Sequence, residues 1–380
     1  MVSKRVRSVS ESATMRIAGL ASELQRKGVD VISFSLGEPD FITPPHICEA
    51  AKDALDAGET HYTPSAGIPE LREEIALKLQ RENNLQVKPS EIIVTPGAKQ
   101  AIFEAVMSVV DDGDEVILFD PAWVSYDACV RLAGGRSVWV PTDPDDGFKP
   151  ENLAEHITAK TRLIIVNTPC NPTGAVYDNQ VLREISELAL DHNLLVLSDE
   201  IYEKVIYGRE HESLASFDGM EERTITVNGF SKAYAMTGWR LGYLAAPLDL
   251  VSQMMKVNSH SVSQAASFVQ HAGIAALKGD QQCVIDKTAE FEKRRNLLVK
   301  GLNELGLTTP LPDGAFYAFT NVSKHGSGDE IAERLLREAH VAVTPGSAFG
   351  STGENYIRIS YATSQERIKE ALLRIEKALS

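Results

Sequence analysis

Residues 224–242 read TITVNGFSKAYAMTGWRLG. An apolar, β-branched run, Thr224–Asn228, passes straight into a glycine, an aromatic, a serine and a lysine. Continuous runs of this kind belong to strands buried on both faces. Further candidate strands are Glu91–Thr95, Glu115–Phe119, Leu163–Asn167, Leu194–Ser198 and Leu241–Ala245. Helical patterns lie between them, as in Lys99–Val110 and Asn179–His192, and Pro69–Gln80 is amphipathic with proline in its first turn. This alternation predicts right-handed crossovers and an α/β fold with a mainly parallel sheet.

After a long helix expected over Gln281–Leu305 the texture changes. Ala315–Thr320, Val341–Thr344 and Tyr356–Ser360 read as short strands, and Gly328–Glu338 and Gln365–Ala378 as helices. A smaller α+β domain is expected there, with about 150 residues per domain as the guide. The predicted division is an N-terminal arm, 1–45, packing with the small domain, a large domain, 46–280, and a small domain, 281–380.

Hydrophobic residues make up 43% of the chain and charged residues 24%, and the formal net charge is −15. That balance suits a globular protein and argues against nucleic acid or an anionic membrane as partner of the surface as a whole. Cys48, Cys129, Cys170 and Cys283 form no CxxC pair, so free thiols are expected and no metal site or redox motif. The first residues carry no apolar run long enough for a signal peptide or a membrane span, and cytoplasm is the expectation.

In open α/β sheets ligands gather beyond the carboxyl ends of the strands. Four such places carry chemistry. Glu91–Thr95 leads through Pro96-Gly97 to a helix start at Ala98-Lys99, where free N–H groups suit an anion, although any strand-to-helix turn can carry Gly and Pro. Leu163–Asn167 runs into Thr168-Pro-Cys-Asn171-Pro-Thr-Gly174, a rigid turn with an amide able to donate to a phenolate-type oxygen. Asp199 and Tyr202 follow Leu194–Ser198, as a helix cap or as a buried carboxylate for a cationic ring nitrogen. Lys232 follows Thr224–Asn228, either as a solvated lysine or as an amine made nucleophilic by desolvation and by a nearby cation such as Arg240.

From Gly229 to Gly242 the chain resembles, position for position, the pyridoxal-phosphate attachment segment of class-I aminotransferases. Asn171-Pro-Thr-Gly, Asp199-Glu-Ile-Tyr202, Gly37-Glu-Pro-Asp-Phe41, Tyr62-Thr-Pro-Ser-Ala-Gly67 and Tyr356-Ile-Arg358-Ile-Ser-Tyr-Ala resemble the family's other site segments, in order along essentially the whole chain. The texture is most similar to the bacterial and archaeal branch of aspartate aminotransferases, including those that accept prephenate. The resemblance implies fold-type I, pyridoxal 5'-phosphate as cofactor, and a ping-pong exchange of an amino group between an amino acid and a 2-oxo acid. It implies that Lys232 holds the cofactor as a Schiff base and moves the proton, and that Asp199 keeps the ring nitrogen protonated. It assigns Asn171 and Tyr202 to the phenolic oxygen and Trp123 to the ring face. The phosphate falls to Arg240, the Ala98–Lys99 backbone and Tyr62 of a second subunit, hence an expected homodimer. Arg358 would fork onto the substrate's α-carboxylate beside Gly37.

Gly229 stands where many relatives carry a serine, so one hydrogen bond to the phosphate is either missing or supplied by Ser231. Lys99 resembles the branch's ligand for the distal carboxylate, assisted by Ser12 and Thr14, which points to aspartate and 2-oxoglutarate as substrates; the alternative is a lysine pointing to solvent. Prephenate-accepting relatives have a basic residue where this chain has Ser10. Aromatic amino acids, alanine and prephenate remain alternative substrates, and a β-lyase on the same fold is an alternative reaction. A regulator built on this domain is disfavoured by the charge and the short leading segment, and a nicotinamide dehydrogenase by the lack of G-x-G-x-x-G after any strand.

Overall fold

The computed structural model describes residues 2–9 and 13–380, with the backbone alone at Ala13 and Thr14. Its strands run in chain order β1 Ile32–Ser33, β2 Ile92–Thr95, β3 Glu115–Asp120, β4 Arg136–Asp143, β5 Lys149–Pro150, β6 Thr161–Asn167, β7 Leu195–Asp199, β8 Thr224–Gly229, β9 Gly242–Ala245, β10 Tyr317–Asn321, β11 Val341–Ala342, β12 Thr344–Pro345 and β13 Tyr356–Ser360. Eight of them form the large sheet, in the order β2-β9-β8-β7-β6-β3-β4-β5. The pairs from β8 through β7, β6 and β3 to β4 are parallel, while β9 is antiparallel to both neighbours and β5 antiparallel to β4.

Every residue of β2, β3, β8 and β9 is buried, as continuous apolar runs require when helices cover both faces. Each of the six strands expected from such runs is present, with ends shifted by a residue or two. β4 and β5 were not expected. β4 begins with Arg136, carries Pro141 and is only half-buried, so it lacks the apolar signature of its neighbours. The helix over Pro69–Asn83 runs three residues beyond its expected end and stops at Asn84, which takes the left-handed conformation.

The C-terminal third differs from expectation in detail. Val341–Thr344 is not one strand: β11 pairs with β1, whereas β12 pairs with β13 in another sheet. The strand expected from Ala315 begins at Tyr317, because Ala315 takes a positive φ of 55°. The helix from Gly328 ends at Arg334 and passes into a π-turn over Leu335–Ala339. The N-terminal segment crosses to this lobe: Ile32 and Phe34 donate to the carbonyls of His340 and Ala342, and Ser360 donates to that of Phe34. Phe34 packs in one apolar cluster with Phe316, Ile357, Leu335 and Ile368. Among the described residues no helix is long and apolar enough to cross a membrane.

One fully buried carboxyl stands out in the large sheet's helical cover. Glu104, on the helix Ala98–Val109, accepts from Gln100 at 2.9 Å and from Asn258 at 3.4 Å. Burial pushes its pKa up to about 7, and the two hydrogen bonds only partly offset this. A carboxyl with a raised folded-state pKa supports the fold when protonated, and that support is lost as pH rises through about 7. Glu104→Gln is therefore expected to flatten the fall of Tm between about pH 5 and pH 8 and to stabilise the protein by roughly 1–3 kcal/mol at the upper end. Thermal melts showing the wild-type pH slope in the variant would contradict this.

Candidate functional site

A cavity of about 360 Å³ opens at the carboxyl ends of β6, β7 and β8, lined from the large sheet by Asn167, Asp199 and Lys232 and from the other lobe by Tyr317 and Arg358. Asp199 ends β7 and is 3% exposed. Its Oδ2 accepts from the Tyr126 hydroxyl at 2.6 Å and its Oδ1 from the Ile201 amide at 3.2 Å. Burial raises its pKa to about 6, against the pull of these hydrogen bonds. Asn167 ends β6 beside it and donates to the Asp199 carbonyl at 2.9 Å.

Lys232 lies three residues beyond β8. Its Nζ donates to the Gly37 carbonyl at 2.5 Å and lies 5.6 Å from the Tyr202 ring centre. Burial lowers its pKa to about 8; Glu38 opposes the shift, while Arg358 and Arg240 add to it. That is the condition for an amine nucleophile.

Arg358, in the middle of β13, is 2% exposed. One amino group donates to Asn171 Oδ1 at 2.9 Å; the other donates to the Ser35 carbonyl at 2.5 Å and to Thr344 Oγ1 at 3.3 Å. Its Nε is buried with no partner. Asn171 is fixed through its backbone N–H, which donates to Asn167 Oδ1 at 2.9 Å, and since its Oδ1 serves Arg358 its amide group remains for a ligand.

The opposite wall is built for an anion. Gly97, at φ 84°, precedes the helix Ala98–Val109 with no side-chain cap. A Cβ there would lie 2.6 Å from an Arg240 nitrogen, so the glycine lets the guanidinium close over the helix start. Arg240 donates to the Thr237 and Pro96 carbonyls at 2.9 and 3.2 Å. Ser231 is buried at the same end. Trp123 packs edge-on to Tyr126, and Lys99 Nζ lies 4.9 Å from the Trp123 ring centre. Lys99 is exposed, yet partial burial of its ammonium lowers its pKa.

The cavity thus brings together Gly37, Ala98, Lys99, Trp123, Asn171, Asp199, Tyr202, Ser231, Lys232, Arg240 and Arg358. It does not include Tyr62, which is 93% exposed. Ser10, Ser12 and the Thr14 side chain lie outside the described residues. Pyridoxal 5'-phosphate fits what is present: a cradle of N–H groups and guanidinium for its phosphate, a buried carboxylate for its ring nitrogen, and an amine of lowered basicity for its aldehyde.

Sequence reasoning passed over Tyr126, Asn167 and Tyr317. Tyr126 and Tyr317 sit inside apolar helix and strand patterns, where an aromatic reads as core. It also passed over a buried polar cluster next to Asp199. Glu200 accepts from Asn83, Ser198, His211 and Ser213, and Glu203 accepts from Lys78 and Asn83. Ligand atoms of Glu200, Glu203 and His211 lie within 4.8 Å of one another, but the Lys78 ammonium already supplies the cation there.

The family model for aminotransferases of class I and II matches residues 29–375. The aspartate aminotransferase of Pyrococcus abyssi is 47% identical over 385 aligned positions, which span 100% of this chain and 98% of that protein. The aspartate/prephenate aminotransferase of Thermus thermophilus is 46% identical over 100% of this chain and 98% of its own length. The structure of the Thermus thermophilus aspartate aminotransferase with maleate superposes with a TM-score of 0.96 at 44% identity, covering 100% of both chains.

A lysine with its pKa lowered to about 8 reacts with carbonyls as it loses its proton. The rate at which ligand-free protein takes up an added aromatic aldehyde phosphate is expected to rise with pH and level off above a midpoint near 8, followed by absorbance in a stopped-flow mixer. A midpoint near the ordinary 10.5 would show that the Lys232 amine is not desolvated in solution.

Proposed function

Since the chain belongs to the class I and II aminotransferases, which are pyridoxal-phosphate-dependent enzymes, we propose that it transfers an amino group between aspartate and 2-oxoglutarate by a ping-pong mechanism. One observation carries the residue assignment: the low-pKa amine of Lys232 shares a cleft with a buried carboxylate, Asp199, and with a buried guanidinium, Arg358.

In this reading Lys232 holds the cofactor covalently through Nζ. Asp199, kept ionised by Tyr126 and the Ile201 amide, would hold a proton on the ring nitrogen. Asn171 Nδ2 and the Tyr202 hydroxyl would donate to the phenolic oxygen. Arg240, the helix start at Ala98–Lys99 and Ser231 would take the phosphate, and Trp123 would cover the ring. When bound, the cofactor supplies the carbonyl that accepts the amino group and a conjugated ring that delocalises the electron pair left at the substrate's Cα. Once the substrate's amine has replaced Lys232 on the cofactor, its freed Nζ, part neutral near pH 8, would take the proton from Cα and deliver it to the carbon that had carried the carbonyl. Arg358 orients the substrate by its α-carboxylate, and the buried, unpaired Nε is the kind of donor such a ligand satisfies.

The assignment of a dicarboxylic substrate is supported by Lys99, whose ammonium lies in the same cavity, and by the maleate in the Thermus thermophilus structure, a four-carbon dicarboxylate. The reading includes a cytoplasmic homodimer, with Tyr62 reaching the phosphate of the other copy; its 93% exposure leaves it available for that. It also includes the division into an arm, 1–45, a cofactor domain, 46–280, and a small domain, 281–380, supported by the pairing of β1 with β11.

Borohydride reduction of the cofactor-loaded protein, followed by peptide mapping, is expected to leave the label on Lys232. A label on another lysine, or none, would overturn the reading. Aspartate given alone is expected to change the visible absorbance once and stop, whereas steady release of pyruvate and ammonia from an amino acid with an anionic leaving group on Cβ, such as a cysteine thioether, would make the protein a lyase. Lys99→Ala is expected to slow the half-reactions of aspartate and glutamate by about 10- to 100-fold, the worth of a charge-assisted hydrogen bond. Alanine should change less than about threefold. Equal losses would remove Lys99 from the distal carboxylate.

A further inference from the structure

Tyr317 has no role in the assignments above, yet it touches both halves of the site. It opens β10, is 1% exposed, and its hydroxyl lies 2.7 Å from the Tyr202 hydroxyl. The face of its ring lies 4.6 Å below the Arg358 guanidinium. A Cβ on Gly37 would lie 2.0 Å from the Tyr317 hydroxyl, so the hydroxyl fills the space that the glycine leaves. The carbonyl of that same glycine receives Lys232 Nζ.

We propose that Tyr317 is the positioning residue that couples the two halves of the site, with its hydroxyl donating to Tyr202 so that Tyr202 can donate to the cofactor's phenolic oxygen, and its ring supporting Arg358 under the substrate carboxylate. This rests on the aminotransferase reading and extends it.

The direction of the Tyr–Tyr bond follows from counting protons. Each hydroxyl has one proton, and among the described residues neither has another protein partner. If Tyr202 donates to Tyr317, no proton of Tyr202 is left for a ligand. If Tyr317 donates, the Tyr202 proton is free to reach a third oxygen, and the chain of two hydrogen bonds makes Tyr202 a stronger donor. Burial raises both phenols and the Arg358 cation lowers both, but the guanidinium stands directly over the ring of Tyr317, 4.6 Å from its centre. A cation over the ring draws electron density from the hydroxyl and makes it the better donor, which agrees with the proton count in selecting Tyr317. The cation above its ring therefore polarises the hydroxyl and is itself held by the ring face.

The test uses the cofactor-loaded enzyme and two readouts that a merely structural residue would not separate. A donor to the phenolic oxygen favours the deprotonated chromophore, so losing one moves the pH midpoint of the visible absorbance upward. Tyr317→Phe keeps the ring and removes the hydroxyl. It is expected to raise that midpoint by about half to one pH unit, the worth of one hydrogen bond, and to leave the maleate Kd within about twofold. Tyr317→Leu removes the ring and is expected to weaken maleate by about fivefold or more. Tyr202→Phe combined with Tyr317→Phe should match Tyr202→Phe alone, because one residue acts through the other. A Tyr317→Phe midpoint equal to that of the wild type, or additive shifts in the double variant, would overturn the proposal. A wild-type protein with no titrating chromophore would overturn the aminotransferase reading as well, so the two failures are told apart.

Discussion

Gathering cations in one cleft without matching anions is the constraint on which this structure depends. Lys232, Arg358, Arg240 and Lys99 converge on one cleft, faced there by Asp199 and Glu38 alone among the acids that line it. The chain carries a formal net charge of −15, so this positive pocket is a local inversion rather than an overall bias. Cations crowded together and partly withdrawn from water are costly, and the fold offsets that cost with neutral oxygens: the carbonyls of Ser35, Gly37, Pro96 and Thr237 and the amide oxygen of Asn171 all accept from these cations. Carbonyl dipoles satisfy the N–H groups but leave the net charge standing. The cleft is left complementary to a ligand with several negative oxygens.

The large sheet places Asn167, Asp199 and Lys232 at the cavity, and the other lobe places Tyr317 and Arg358 there. Asn167 and Asp199 are register partners on adjacent parallel strands, and Lys232 follows the next strand over. This spacing is set by backbone hydrogen bonding and hardly moves. Arg358 reaches the same cleft from β13, and its contact with Asn171 joins the two parts. The position of Arg358 in the cavity therefore depends on how the lobes meet, while the spacing of Asn167, Asp199 and Lys232 depends on the sheet.

Much of this was readable from the chain because strand ends in such a sheet are where chemistry collects. Lys232, Asp199 and Asn171 each follow an uninterrupted apolar run, and that context set them apart from ordinary surface residues. What escaped detection lacked a periodic signal. β4 is interrupted by Pro141, and β11 and β12 are two residues each, too short for any pattern. Tyr126 and Tyr317 look like core aromatics because they are buried as core aromatics are; their hydroxyls become informative only when Asp199 and Tyr202 are seen at the other end. The polar cluster around Glu200 is similar, since its donors come from Asn83, Ser198, His211 and Ser213, and no local spacing joins them.

The pairing of β1 with β11 has a consequence for biosynthesis. Ile32 and Val341 are neighbours in space but lie at nearly opposite ends of the polypeptide. On the ribosome the segment holding Ile32 and Phe34 emerges early and must wait, with its apolar side chains uncovered, until the last hundred residues have been translated. The sheet around Lys232 has its whole sequence sooner, so the wall of the cavity that it carries can form first. The wall of the cavity that carries Arg358 is completed only after that later stretch has emerged.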